Sequence, residues 1–350
     1  MNKGGTAVIT KCTFNGNSAL SSGGAIYGSA SSMLLYGCDF VKNSGKNGGA
    51  IYPDGGTLTL NKCNFQQNSA IAGGGAMRGK SATQDITECI FSGNTARAVS
   101  TNASWSGALY NEGCTQNLTK CLFVGNMALA EEEMSALGGA VYNLESTQTV
   151  TNCTFSGNTG ADFGGAVYNH RSKQNVVNST FCSNRAKYYG AAMYNDRTTP
   201  IVVNSIFWNN ETKDTEVSKC IIPATTLTMQ NCVADYDYGG KNNIVKNPEL
   251  IALDKNLQPT SVSADIYIYR PADNSPARAA GHSVGTHTIA AEKITVPSYD
   301  QTGRMRPSEG YIDIGSYQSE KTESTGGCSS GIPAIPALVI LTALFISRKK

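Results

Sequence analysis

Apolar and polar residues alternate in short runs along the first two-thirds of the chain, and the runs end alike. Thr6-Ala-Val-Ile-Thr-Lys-Cys12 leads into Phe14, Leu58-Thr-Leu-Asn-Lys-Cys63 into Phe65, and Gln148-Thr-Val-Thr-Asn-Cys153 into Phe155. Period-two alternation with β-branched enrichment predicts half-buried strands. Cys and Phe stand two apart, so they share one face, and its composition points inward. A second strand is predicted at the Ala-(apolar)-Tyr that follows each glycine pair. Nothing carries the apolar spacing of a long helix.

The unit recurs. Phe-x-x-Asn places phenylalanine at Phe14, Phe40, Phe65, Phe91, Phe123, Phe155, Phe181 and Phe207, with Phe-to-Phe steps of 26, 25, 26, 32, 32, 26 and 26 residues. Its asparagines are Asn17, Asn43, Asn68, Asn94, Asn126, Asn158, Asn184 and Asn210. Such a period is the mark of a solenoid. Twenty-six residues at about 3.3 Å each trace roughly 80 Å, one turn of a three-sided β-helix whose coils stack at about 4.8 Å. The fold class expected is all-β: a right-handed parallel β-helix of about eight to nine coils. The phenylalanines then form one inward ladder. The asparagines form another at a corner, where each amide bonds backbone of its own turn and of the next coil. Gly23-Gly24, Gly48-Gly49, Gly138-Gly139 and Gly164-Gly165 supply positive φ or close approach at a second corner.

The pairing of Phe-x-x-Asn with Gly-Gly-Ala-(Ile/Leu/Val) resembles the repeats of chlamydial polymorphic outer-membrane proteins over about residues 5–235. More broadly it is similar to β-helix repeats of bacterial surface proteins. The resemblance implies architecture and says little about activity. The alternating strand series of the autotransporter barrel that ends those proteins is not seen here, which removes self-secretion from the reading.

Composition narrows the function classes. Net charge is +2, charged residues make up 15%, and no basic stripe precedes the extreme C-terminus, so nucleic acid is a poor partner. The three histidines, at 170, 282 and 287, lack zinc spacing. No metal and no cofactor is expected. Of eleven cysteines, Cys12, Cys38, Cys63, Cys89, Cys121 and Cys153 share one repeat position, which Ser179 and Ser205 also occupy. Interchange with serine asks for a small side chain. Parallel neighbours fit the disulfide dihedral poorly, which favours buried thiols.

Domain limits are read as 1–245 for the coils, 246–318 for a different module, 319–331 for a linker and 332–350 for a hydrophobic tail with a basic end. Ser275-Pro-Ala277, Asp300-Gln-Thr-Gly303-Arg304 and Asp313-Ile-Gly-Ser-Tyr317 are similar to the choice-of-anchor Q module, with Ala279, Ser316 and Gln318 as departures. The resemblance implies a cap on the last coil, held by a latch of Asp300, Arg304 and Asp313. Gly326-Gly327-Cys328-Ser329, the short apolar tract and Ser347-Arg-Lys-Lys350 resemble the C-terminal sorting signal of Synergistetes envelope proteins. That implies export, cleavage near Cys328 and tethering to the cell envelope. The tract itself is expected to be a short isolated helix. No signal peptide is visible at Met1, which begins inside a repeat, and a truncated start is the expectation.

Two places invite a site. The two 32-residue steps mark six-residue insertions in adjacent coils, expected to protrude side by side at 95–105 and 127–137, with Trp105, Glu131, Glu132 and Glu133 as a glycan or protein contact. In register, Tyr142, Tyr168 and Tyr194 align, His170 faces Asp196, and Glu145 faces Arg171, with Arg197 beside them. Leading is a non-catalytic envelope protein whose partners are the envelope and a glycan or surface protein. The alternative is a β-helix polysaccharide lyase or hydrolase using His170, Asp196, Arg171 and Arg197.

Overall fold

The computed structural model describes residues 1–98, 103–130, 135–160, 162–213, 221–222, 227–252, 269–302, 304–306 and 313–315. Glu131 to Glu133, the linker, the Gly326-Gly327-Cys328 motif and the tail lie outside them.

The chain winds into a right-handed parallel β-helix, the hand that parallel crossovers adopt. Each coil contributes to three sheets. A long sheet takes two arms per coil, such as Leu109–Glu112 and Thr115–Thr119; in Ile26–Tyr36 and Ile51–Asn61 the arms run on as single strands. A phenylalanine sheet takes three residues, such as Leu122–Val124. A third sheet takes Ser18–Ser22 and its equivalents, as far as Glu211–Thr212.

Pairing is parallel and in register. Phe14, Phe40, Phe65, Phe91, Phe123, Phe155, Phe181 and Phe207 stand each on the next, and Ala234 takes the ninth place. Their rings stack at 4.6 to 4.8 Å within 8° of parallel. All but Phe14, which is partly buried, are fully buried.

The asparagine ladder runs beside it. Asn94 donates its Nδ2 to the Phe65 carbonyl and to Asn126 Oδ1, both at 2.9 Å, and accepts the backbone N–H of Asn68 at 3.0 Å. The same set recurs from Asn43 to Asn184. Asn158 shows it in the middle of the helix, donating to the Phe123 carbonyl and to Asn184 Oδ1, both at 2.9 Å, and accepting the Asn126 N–H at 3.0 Å. Asn210, the eighth, donates to the Phe181 carbonyl at 3.0 Å and accepts both the backbone and side-chain N–H of Asn184. Asn17, on the first coil, donates its own backbone and side-chain N–H to Asn43 Oδ1.

The cysteine slot has its own logic: Cys63 N–H donates to Cys89 Sγ at 3.4 Å, and Cys153 N–H to Ser179 Oγ at 3.2 Å. A thiol or a hydroxyl serves equally, which is why the two interchange. The nine described cysteines are free thiols.

Turns rely on single left-handed residues, and glycine is only one of those used. Before each cysteine slot stand Lys11, Gly37, Lys62, Glu88 and Lys120, then Asn152, Asn178, Asn204 and Asn231, all at positive φ. Asparagine tolerates this region better than lysine or glutamate. The shift to asparagine coincides with a second structural event.

The described residues between 246 and 315 leave the parallel pattern. Leu250–Ala252 pairs antiparallel with Tyr269–Pro271, and Gly285–Ile289 forms a hairpin with Glu292–Val296. The expected placement over the last coil is corrected: the module lies along the outside of the coils. Ile289, Ile294 and Val296 pack on Val177, Ile201 and Val203, while Ala277 and Ile314 pack on Ile206 and Val233. Gln301 accepts from Thr154 Oγ1 at 2.6 Å and donates to the Cys121 carbonyl at 3.1 Å. The cause is visible in the coils. The outward position held by Thr87, Thr119 and Thr151 becomes Val177 and Val203, so apolar surface there needs covering.

The latch also needs correction. The arginine buried between Asp300 and Asp313 is Arg306, 1% exposed, rather than Arg304. Arg306 donates to the carbonyls of Asp313 and Gly315 and to Asn152 Oδ1. Asp300 instead accepts the backbone N–H groups of Thr302 and Arg304 and so ties its own turn.

Candidate functional site, a re-entrant aromatic corner

The glycine corner joins the third sheet to the first arm of the long sheet. Gly164 sits at φ +68, and a Cβ there would fall 2.6 Å from the Val167 carbonyl oxygen; at Gly165 it would fall 2.3 Å from the Ala191 oxygen. Glycine suits so tight a bend, and where Ser106 and Ala191 stand at the equivalent places in other coils the side chain is small. The consequence lies outside. Outward-facing rings on the two limbs touch each other, so the corner is concave toward solvent.

One wall is the third-sheet row Trp105, Leu137, Phe163 and Tyr189, each bridged to the next. The facing wall is Tyr110, Tyr142, Tyr168 and Tyr194, paired in register. Tyr142 stacks on Tyr168 at 5.1 Å and Tyr168 on Tyr194 at 5.0 Å. Across the bend, Trp105 meets Tyr110 at 5.7 Å and Phe163 meets Tyr194 at 5.0 Å. The groove opens toward its later coils: Tyr110 and Tyr142 are buried, Tyr168 and Tyr194 half-buried, and Tyr189 is 44% exposed. Burial pushes the phenols of Tyr110 and Tyr168 up to about 12 and raises those of Tyr142 and Tyr194. The hydroxyls therefore stay neutral at physiological pH.

Charges line the same wall in pairs. Arg78 lies 4.6 Å over the Tyr110 ring, donates to Glu112 at 2.9 Å, and also reaches Asn47. His170 Nδ1 and Asp196 Oδ2 are 2.6 Å apart, Arg171 is 3.4 Å from Glu145, and Arg197 is 4.0 Å from Asp196. All of these sit at or beside the outward position of the first arm, since the inward one is filled by Asn111, Asn143, Asn169 and Asn195.

The insertions leave the third sheet at the same height in successive coils. Thr95–Arg97 pairs with Met127–Leu129, and Ser104–Trp105 with Ala136–Leu137. Trp105 returns from its insertion straight into the groove wall. Among the described residues, no group of His, Cys, Asp and Glu has the geometry of a metal site.

Phe163, Tyr188, Tyr189 and Arg78 escape a reading made repeat by repeat. The signal for Phe163 and Tyr189 was an aromatic immediately before the glycine bend, as in Phe163-Gly164-Gly165 and Tyr189-Gly190, matched to the tyrosine after it.

Residues 11–29 and 152–170 match the Chlamydia polymorphic membrane protein repeat. Both segments start on a left-handed residue, Lys11 or Asn152, and run through the phenylalanine, the ladder asparagine and the glycine bend to the tyrosine wall. This fits a surface-type repeat protein. No curated protein matches the chain.

Proposed function

We propose that this chain is a non-catalytic cell-envelope protein that presents its β-helix for contact with glycans or other surfaces. The observation that carries the reading is the aromatic corner, two facing rows of outward side chains on a scaffold whose backbone is already satisfied between coils. The repeat match supports a surface setting. Export and tethering through Gly326, Gly327 and Cys328 belong to the same proposal. Proteinase treatment of intact cells tests it: the full chain should be cut while cytoplasmic controls survive. A chain protected until the cells are lysed sinks it.

One observation favours an enzyme instead, the 2.6 Å His170–Asp196 contact beside two arginines. Against it, Asp196 and Glu145 are already engaged by His170 and Arg171. Such cross-strand pairing is ordinary sheet stabilisation. Turnover of any polysaccharide by the full chain, lost in His170→Ala, would establish the enzyme.

A further inference from the structure

We propose that the open end of the aromatic corner, around Phe163, Tyr168, Tyr188, Tyr189 and Tyr194, binds an uncharged linear polysaccharide lying along the helix axis. The inference rests on the surface-contact reading above and names its ligand class.

Three features select that ligand. The first is periodicity. Groups of one kind recur at the coil rise, with ring centroids 5.1 and 5.0 Å apart along the tyrosine wall. A row of equivalent sites at constant pitch suits a polymer of equivalent units laid along it. The second is the chemistry displayed. Stacking covers the ring faces and leaves neutral phenol hydroxyls as donors and acceptors, with apolar ring flanks between them. Hydroxyl-rich units with C–H faces match both.

The third is charge. Arg78 is engaged by Glu112, Arg171 by Glu145, and His170 by Asp196. Lys187 lies 4.5 Å over the Tyr188 ring. A polyanion would require cations in excess, and around this end Arg171, Arg197 and Lys187 are matched in number by Glu145, Asp196 and Asp162. An extended peptide would seek an open strand edge. Here the backbone of Val167–His170 is bonded to coils on both sides, Val141–Leu144 and Met193–Asp196, so the groove offers side chains only.

Calorimetric titration of the full chain with cellohexaose, hexa-N-acetylchitohexaose and a galacturonic hexasaccharide tests this. Expected is a millimolar or tighter Kd for one of the two neutral oligosaccharides and at least tenfold weaker binding of the galacturonate. Tyr189→Ala, at an exposed position, should weaken binding tenfold or more. Asp196→Asn should weaken it a few-fold by loosening His170. Tyr236→Ala, an equally exposed ring elsewhere, should leave it unchanged. Thermal melts confirm that each variant folds. No heat with either neutral ligand, tighter galacturonate binding, or unchanged affinity in Tyr189→Ala overturns the proposal. Proteinase treatment of cells is independent of these outcomes, so a failed ligand and a failed surface setting are told apart.

Discussion

Arg306 donates its Nη2 to the side-chain oxygen of Asn152 at 3.2 Å, across 154 positions of sequence. Asn152 also donates its Nδ2 to the Tyr299 carbonyl. A left-handed turn residue of the helix is thus the acceptor and donor on which the C-terminal module hangs. Replacing Arg306 by Met removes a buried charge that Asp300 and Asp313 face. The expected cost is about 3 kcal/mol, as for one partner of a buried ionic group. Hydrogen exchange should show lost protection in Gly285–Val296 with the coils intact. Equal loss in the phenylalanine sheet would show that module and coils unfold as one.

Acid should loosen the same module. His282 is bonded through its backbone N–H to Asn204 Oδ1 at 2.7 Å, and its ring meets that of His287 at 4.8 Å, tilted by 31°. Burial first, then His287 and Lys241, holds its pKa below the ordinary 6.5. The folded state therefore disfavours the proton that the unfolded state takes up. This contribution is present above about pH 6.5 and is lost as pH falls through the lower folded value. Hairpin amide protection should drop between pH 7.5 and pH 5, and His282→Gln should flatten that dependence. An identical pH profile in the variant would rule the histidine out.

Asn94→Ala removes four side-chain bonds, two donated and two accepted from Asn68. The loss exposes buried backbone and amide groups to no partner, at about 1–3 kcal/mol for each group orphaned. The urea midpoint should fall sharply, and Asn158→Ala should match it because its bonds are the same. Asn17→Ala, at an exposed position, should cost far less. Equal midpoints for all three would mean that the ladder is ornamental.

Gly165 and Gly157 make a paired test of the bend. A Cβ on Gly165 would meet the Ala191 and Arg185 carbonyl oxygens at 2.3 and 2.4 Å, whereas one on Gly157 meets nothing within 4 Å. Gly165→Ala should destabilise the corner strongly, because the coil above it presents those oxygens. Gly157→Ala, at φ +62, should cost only the left-handed penalty of about 1–2 kcal/mol. Soluble expression and far-ultraviolet circular dichroism distinguish the two. Full stability in Gly165→Ala would contradict the close approach.

Much of this architecture is legible in the chain because one phrase repeats, and a repeat aligned with itself reports which residues will stack. The phenylalanine and asparagine positions follow from spacing alone, as does the register of His170 on Asp196. Less legible is the interior beneath the long sheet. There Gln84, Gln116, Gln148 and Gln174 chain together through their amides, with Asn111, Asn143 and Asn169 bonded to them. Polar residues in a strand read as outward, and only a neighbouring ladder of partners makes them tolerable inside. The side-on seat of the C-terminal module was written in the change from Thr151 to Val177. That substitution has meaning only once its face is known. Arg304 and Arg306 stand two apart in the same motif, and spacing alone does not say which of two nearby arginines is buried.

The hydrogen bonds that join coil to coil lie along the helix axis, and this gives the molecule two mechanical characters. Tension along the axis loads the phenylalanine, asparagine and long-sheet bonds between two coils together, so that joint must part in unison. Tension on the first strands alone meets them one at a time. Asn2–Lys3 comes away from Gly28 and Ser29, and Thr6–Thr10 from Ser32–Tyr36. Pulled across its coils the solenoid resists as a stiff body, and peeled strand by strand it unzips.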